Sequence, residues 1–524
     1  MAGRQQTPES HLSRRLAGLR PLPSPSGCLM RLSPDAMFGQ ERPSDITGRS
    51  IRGSGATFTS QIIRFVMQTA STVVLARLLT PDDYGIVAMV AVVIGFAQVF
   101  ASAGLSAATV QREHITREQI DSLFWVNLAV SGVIAGGVLA SAPLVAAFYR
   151  SPPLAAVTAA LAVSFVISGI AVQHDALLRR HMEFRSLAVI QVGAQLVNIV
   201  VTVALALLGC GYWALVGGSL SLALANSVLT IYYCPFIPRR PRRGVGVRGM
   251  LLFGGHLTAF DFVNYFARTA DNILVGRFLG ADALGLYSRA YSLFMLPISQ
   301  IRGPVAQVGM PALSALREQP ERFRRYYSRV LDLMAVLTVP LGVYCALEAD
   351  FVVRVLLGSQ WMGLVGTFRI LAIVGIIQPA ASTVGLVLVS QGHAARQLRL
   401  GLVTSAAVVG GFVAGLPFGI EGVAAGYAIA SYVAVIPSVW YSYRDSPVRL
   451  SDFAGAMWPA MGSAAVAAGF AMGASALLPA HSALGGLSAL AVFAVAYGVM
   501  TFARSSVRET LRLIWRHRQT GVGS

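Results

Sequence analysis

The chain has 524 residues, a length that would suit about three or four soluble domains, yet 55% of them are apolar and only 12% charged. So few charges cannot keep a soluble surface of that size wet, which excludes a soluble multidomain enzyme. The net charge of +18 is built wholly from Arg, with no Lys, which excludes a P-loop Lys, a Schiff-base Lys and a pyridoxal phosphate anchor.

Residues 1–48 hold Arg, Pro, Ser and Gly but no apolar stretch of signal-peptide length, and predict a disordered cytoplasmic extension. After them come long uncharged runs such as 85–100 and 124–148. An apolar helix needs roughly 20 residues to cross a bilayer. Fourteen spanning helices are predicted, near 56–79, 85–110, 122–148, 154–176, 186–208, 212–234, 250–279, 285–312, 327–349, 364–390, 399–417, 422–443, 453–478 and 483–503. The fold class is therefore an all-α integral membrane protein. A basic connector, 235–249, divides an N-lobe of six helices (49–234) from a C-lobe of six (250–443). The last two helices form a hairpin (444–503), followed by a tail, 504–524. That tail spaces Arg504, Arg508, Arg512 and Arg516 by four beside Val507, Leu511, Ile514 and Trp515, as expected of an amphipathic helix on anionic inner-leaflet lipid.

Arg placement sets the orientation. With the N-terminus inside, inner segments hold 32 of the 41 Arg, outer loops hold Arg77, Arg150, Arg277 and Arg354, and five fall within helices. That bias predicts both termini cytoplasmic. It also reads the basic balance as a topology signal, so no nucleic acid partner is expected.

The two halves repeat. LARLLTPDDYGIV at 75–87 aligns without a gap on VGRFLGADALGLY at 275–287, matching Arg77 with Arg277, Asp82 with Asp282 and Gly85 with Gly285. Six helices per half make the repeat parallel, a transporter plan with its site between the halves. The motif is also what two equivalent helix–loop–helix caps sharing one packing scheme would show.

The same offset of 200 relates two polar stripes, Gln61, Arg64, Gln68 and Ser71 in the first helix and Asp261, Asn264, Arg268 and Asp271 in the seventh. Spacings of three and four place each set on one helix face. A charge at the bilayer centre costs about 2.5–3.5 kcal/mol on insertion scales, so these faces are expected to line a water-filled cavity. The alternative is an ion pair, Arg268 with Asp271. Arg64, Arg268, Arg289, Arg302 and Arg369 outnumber Asp261 and Asp271 among the intrahelical charges, and such a cavity favours an anion, phosphate above all. The expected substrate contacts are Gln61, Arg64, Gln68, Asn264, Arg268 and Arg302, with Asp261 and Asp271 as candidate ion-coupling groups. The GxxxG pairs 132–136, 411–415, 422–426 and 469–473 predict close helix packing. Cys28, Cys210, Cys234 and Cys345 are scattered, and neither a metal site nor a cofactor is expected.

LARLLTPDDYGIVAM, GLSAATVQ (104–111), FW (124–125), DNILVGRFLGADALGLYSRAYSLFMLP (271–297) and VGMPALSAL (308–316) together resemble the Wzx-type polysaccharide flippases, closest to the WzxC-like branch, of the multidrug, oligosaccharidyl-lipid and polysaccharide exporter superfamily. The resemblance covers roughly residues 50–440. It implies two six-helix lobes around a central cavity, alternating access and transfer of an undecaprenyl-pyrophosphate-linked sugar across a bacterial inner membrane, with Arg64 and Arg268 as phosphate contacts. The partners it implies are a lipid-linked oligosaccharide and the polysaccharide polymerase and export proteins of the same route. The alternative is an ion-coupled small-molecule or drug exporter of the same superfamily, against which the cavity's sign argues. An enzyme would need a large outer loop to hold an acceptor sugar, and each predicted outer loop is short. A scaffold without transport has no use for buried polar stripes.

Overall fold

The computed structural model describes residues 46–101, 109, 115–241, 248–476 and 483–503, leaving out the side chains of 46–58, 248–264, 267, 483 and 484. No strand occurs among the described residues. The first half of the chain forms α1 (Ile46–Leu78), α2 (Pro81–Ala101), α3 (Arg117–Tyr149), α4 (Pro153–Arg180), α5 (Phe184–Leu207) and α6 (Tyr212–Tyr233). The second half begins with α7 (Arg248–Ala315), followed by α8 (Pro320–Leu347), α9 (Ala349–Leu356), α10 (Val365–Ala381) and α11 (Val384–Ser390). It continues through α12 (Ala394–Gly415), α13 (Gly419–Tyr443), α14 (Leu450–Ala476) and α15 (Ala483–Ala503).

Ten segments among the described residues are long and apolar enough to cross a membrane, which makes this a multi-pass membrane protein. Neither α1 nor α7 is among the ten. Their sequences carry the polar stripes, which lower the mean hydropathy of both helices.

Local chemistry sets the helix ends. At α3, the Thr116 hydroxyl accepts the Gln119 N–H at 3.3 Å while the Gln119 side chain accepts the Thr116 N–H at 3.2 Å, a reciprocal capping box. Between α1 and α2, Thr80 donates its N–H and hydroxyl to Asp83 at 2.9 and 2.8 Å. The equivalent position 200 residues later is Gly280, and there the expected loop at 280–284 does not form. Gly280 alone breaks α7, at φ 90°, and helix resumes at once. Only glycine takes that conformation without strain. The structure departs from expectation at three further places. The helix of α1 starts at Ile46, inside the predicted extension. The predicted helix 364–390 is interrupted between Ala381 and Val384, and the predicted outer loop before it carries α9 and a short 3₁₀ turn, Ser359–Leu364. The tail 504–524 lies outside the described residues.

Helices of each half pack mainly on one another, while α2 packs along α7 across the halves. The described start of the connector is fastened to the first half rather than free. Trp125 Nε1 donates to the Arg239 carbonyl at 2.8 Å, the Arg239 N–H donates to Asp121 at 3.2 Å, and His174 Nε2 meets the Phe236 carbonyl at 3.0 Å. The last helix pair docks through α14 on α8. A bidentate fork from Arg324 to Asp452, with both contacts at 2.8 Å, ties the two helix starts together.

Two of the four GxxxG pairs pack against each other. A Cβ on Gly411 would overlap the Gly426 carbonyl, one on Gly426 the Gly411 carbonyl, and Gly415 and Gly422 stand in the same reciprocal relation. Small residues thus let the α12 and α13 backbones touch. By contrast, Gly132, Gly136, Gly469 and Gly473 have nothing within 4 Å and make no such contact. Gly426→Leu is therefore expected to destabilise the detergent-solubilised protein by about 1–3 kcal/mol through overpacking, read as a lower melting temperature by fluorescence size-exclusion, while Gly136→Leu leaves that temperature unchanged.

Candidate transport cavity and its closed end

The repeat motif builds one end of the interface between the halves. A side chain on Gly85 would overlap the backbone carbonyl of Ala281, and one on Gly285 would overlap that of Pro81. These four positions are two pairs at the offset of 200, so the contact is self-complementary about a pseudo-two-fold axis within one chain. The arginines of the motif also reach across. Arg77 donates to the Val355 carbonyl at 3.3 Å, and the Arg277 guanidinium lies 5.6 Å from the Phe148 ring centroid. Asp82 and Asp282 come near enough to interact electrostatically.

A second contact seals the same end. The last turn of α1 leaves its carbonyls without helical partners. The Ala76 carbonyl is taken by Trp361 Nε1 at 2.6 Å and by Gln360 Nε2, both from the 3₁₀ turn of the other half. Trp361 is fully buried and meets the Tyr84 ring edge-on at 5.4 Å between centroids. The opposite side of this ladder is Arg289, whose guanidinium lies 3.5 Å from the Tyr84 centroid.

Beneath this end lies a cavity of about 610 Å³, walled by α1, α2, α5 and α6 of the first half and by α7 of the second. From Tyr84 to Gly95 along α2 it runs about 17 Å, at 1.5 Å per residue. Its polar wall is made of Asn198, Thr202, Ser219, Thr269, Ser288 and Tyr265, among others. These hydroxyls are already committed as donors. Thr202 gives its proton to the Asn198 carbonyl at 2.7 Å, Ser219 to Leu215 at 2.9 Å, Thr269 to Tyr265 at 2.9 Å, Ser288 to Gly285 at 3.2 Å, and Tyr265 to Val92 at 2.6 Å. The Asn198 amide N–H donates to Gly218 at 2.7 Å. The hydroxyl oxygens keep lone pairs free to accept, while Asn198, Asn272 and Arg289 add N–H donors to the same lining, so the wall suits a polyhydroxylated ligand. Arg289 is the charged side chain in the lining.

The stripe residues lie elsewhere. None of Gln61, Arg64, Gln68, Arg268 or Arg302 lines this cavity. Gln61 crosses to the other half, donating to Gln300 at 3.4 Å, and Arg64 is exposed and bonds Gln191 at 2.6 Å within its own half. Arg268 and Arg302, both exposed, stand close enough to repel one another. The considered pairing of Arg268 with Asp271 does not form. Asp271 is 4% exposed and instead accepts the Tyr287 hydroxyl at 3.1 Å and the Asn272 N–H at 2.7 Å. Arg369 is spent on Asp350 at 2.6 Å and the Ala346 carbonyl, and supplies no cavity charge. The side chains of Asp261 and Asn264 lie outside the described residues. Sequence reasoning passed over Arg289 as a site and the polar wall altogether. Membership of Arg289 among the intrahelical arginines was the one available signal.

A helical bundle of two related halves closed at one end over a polar cavity is the architecture of a membrane transporter. The chain belongs to the family described as Polysaccharide biosynthesis protein, which matches residues 74–366. Among its relatives are the teichuronic acid biosynthesis protein TuaB of Bacillus subtilis (strain 168), 27% identical over 67% of this chain and 73% of TuaB. The lipopolysaccharide biosynthesis protein WzxC of Escherichia coli (strain K12) is 23% identical over 77% of this chain and 82% of WzxC. The fold is that of the lipid II flippase MurJ in an inward closed conformation, with a TM-score of 0.69 over 86% of this chain and 98% of MurJ at 13% identity.

Gly85→Leu and Gly285→Leu are expected to hold the two halves apart at this end. In a background without native cysteines, Ser288→Cys should react with a membrane-impermeant maleimide at least several-fold faster when either glycine is replaced. Equal protection in all backgrounds would show that the end is sealed by something else.

Proposed function

We propose that this chain is a flippase that carries an undecaprenyl-pyrophosphate-linked oligosaccharide repeat unit from the inner to the outer leaflet of a bacterial inner membrane, for surface or exopolysaccharide assembly. It does so by alternating access and makes or breaks no covalent bond. The polar cavity between the halves carries this reading, because a saccharide is a dense array of hydroxyls, each both donor and acceptor, and the lining offers both. Relatives named for teichuronic acid and lipopolysaccharide biosynthesis support a polymer route rather than drug export.

The proposed domain plan is an N-lobe, 49–234, and a C-lobe, 250–443, rocking about the cavity, with 444–503 appended. The Arg bias assigns the closed end, which carries Arg77 and Arg277, to the outside and both termini to the cytoplasm. Exposed Arg64, Arg268 and Arg302 then serve as the pyrophosphate contacts while the saccharide enters the cavity, and Gln61, Gln68 and Asn264 flank them. For ion coupling we take Asp271 first and Asp261 second. A buried carboxylate held only by neutral donors changes its hydrogen bonding when it binds or loses a cation. The polysaccharide polymerase and export proteins of the route would receive the product.

Complementation of a deletion strain tests the assignment. Deletion should abolish polymer and pile up lipid-linked repeat units in the inner leaflet, and Arg64→Ala with Arg268→Ala should restore less than a tenth of wild-type polymer while remaining in the membrane. Persistence of polymer without accumulation, in a strain lacking a second flippase, would shift the reading to a small-molecule exporter. Asp271→Asn is expected to leave substrate binding intact but make uptake into proteoliposomes indifferent to an imposed ion gradient. A retained response would clear Asp271 of a coupling role.

A further inference from the structure

The cavity lining holds one cation, Arg289, without an anionic partner among the described residues. Arg289 contacts the Tyr84 ring, and among the described residues no carboxylate or carbonyl is hydrogen-bonded to its guanidinium. Several arginines elsewhere are paired with carboxylates, Arg324 with Asp452, Arg369 with Asp350 and Arg396 with Asp445. The repeat gives an internal control. The position equivalent to Arg289, 200 residues earlier, is Met89, 1% exposed within the apolar core. The scaffold therefore packs without a charge there, and the one in the second half is a departure from it. An unpaired guanidinium away from bulk water is costly, so its retention asks for a ligand.

Tyr84 prepares that guanidinium. The ring is 96% buried, braced edge-on by Trp361, and its own hydroxyl has no hydrogen-bond partner. A guanidinium stacked on a ring uses its face and keeps its N–H edge free for a bidentate oxyanion. Four hydroxyls of the surrounding wall give their protons to backbone carbonyls, which leaves this edge as the charged donor of the lining. On the same stretch of α7, Arg302 lies 13 residues further on, about 20 Å along the helix. The cavity cation and that stripe cation are thus separate sites for negative charge.

We propose that Arg289, stacked on Tyr84, is a specificity-determining residue that recognises an acidic substituent of the saccharide, a sugar carboxylate, so that the natural repeat unit contains an acidic sugar. This rests on the flippase reading and adds the class of saccharide to it. Because Tyr84 belongs to the first half and Arg289 to the second, opening the closed end removes the ring from the guanidinium. The fork loses its support as the cavity meets the far side, which favours release there.

The test uses the full-length purified protein in nanodiscs and three soluble probes: cellobiouronic acid, neutral cellobiose and inorganic pyrophosphate. Saturation-transfer NMR reads dissociation constants into the millimolar range. Wild type should bind the acidic disaccharide at least tenfold more tightly than the neutral one. Arg289→Gln should bring that ratio close to one, while Arg64→Gln leaves it unchanged. Should the Gln variant fail to give a monodisperse protein, Arg289→Met, which installs the residue of the equivalent position, answers the same question. Tyr84→Phe, which keeps the ring, should retain the ratio. Absence of any preference in wild type, including failure to bind either sugar, overturns the proposal, as does a preference that survives loss of Arg289. If Arg289→Gln loses pyrophosphate rather than the uronate, the anion is that of the lipid linker and the inference falls while the flippase reading stands. If pyrophosphate binding ignores Arg64, Arg268 and Arg289 alike, the flippase reading's anion site fails instead, independently of the sugar ratio.

Discussion

The contact on which this molecule depends is the pair of glycine–carbonyl approaches at 81–85 and 281–285. Each glycine makes room for the backbone of the opposite half, so two helix starts meet without side chains between them. Helix N-termini carry partial positive charge, and two brought together would repel. Asp82 and Asp83 lie in the first turn of α2, and Asp282 just after the Gly280 break, which offsets that repulsion. The price is that Asp82 and Asp282 are brought near one another. A joint made of short-range contacts and opposed charges holds firmly when closed and loses little by parting into water, which is what a transporter end requires.

Lipid imposes the second constraint. A polar group facing acyl chains has no partner, so polar helices must be enclosed by apolar ones. Both α1 and α7 are the helices that fail a hydropathy criterion for spanning, and both contribute to the wall of the cavity between the halves. Around that space α2, α5 and α6 complete the wall, while the stripe residues Arg64, Arg268 and Arg302 stay outside it and exposed. Thr202 and Thr269 reduce the cost of their hydroxyls by donating to carbonyls one turn back along their own helices.

Much of this was legible in the residues. The all-helical membrane plan was legible, and ten segments of the described residues are long and apolar enough to span, because uncharged runs and Arg-rich loops are strong, additive signals. The repeat was legible because Gly85, Gly285, Asp82 and Asp282 keep their identity at one offset. The partner of each glycine was not, since sequence gives an offset and no crossing geometry. Gly280 shows the limit at a turn: a short loop and a single left-handed glycine leave the same trace. Arg289 shows it at the site. Five intrahelical arginines look alike in a sequence, and only packing separates Arg369, spent on Asp350, from Arg289, left over a ring. The polar wall was hidden for a related reason, because serines and threonines are common in spanning helices and their direction depends on which face meets the other half.

The backbone obeys the two-fold relation more closely than the chemistry does. Gly85 and Gly285 are equivalent in residue and in role, as are Arg77 and Arg277 in reaching across to the other half. Yet Tyr84 corresponds to Leu284, Met89 to Arg289, Ser71 to Asp271 and Val87 to Tyr287. Three of these four differences place a charge or an acid–phenol pair in the second half and leave the first half neutral. The first half contributes the ring, and both halves contribute to the polar wall. Symmetric joints allow the halves to rock about one axis with equivalent strain on each side. Asymmetric side chains then make the two ends of that motion unequal in what they hold. Asp271 lies before Gly280 on this kinked helix, and Arg289 after it, together with the Tyr287 that bonds Asp271 across the break. A change of angle at that glycine therefore moves the carboxylate and the guanidinium relative to one another, which is the geometry that the proposed coupling of an ion at Asp271 to a cargo at Arg289 requires.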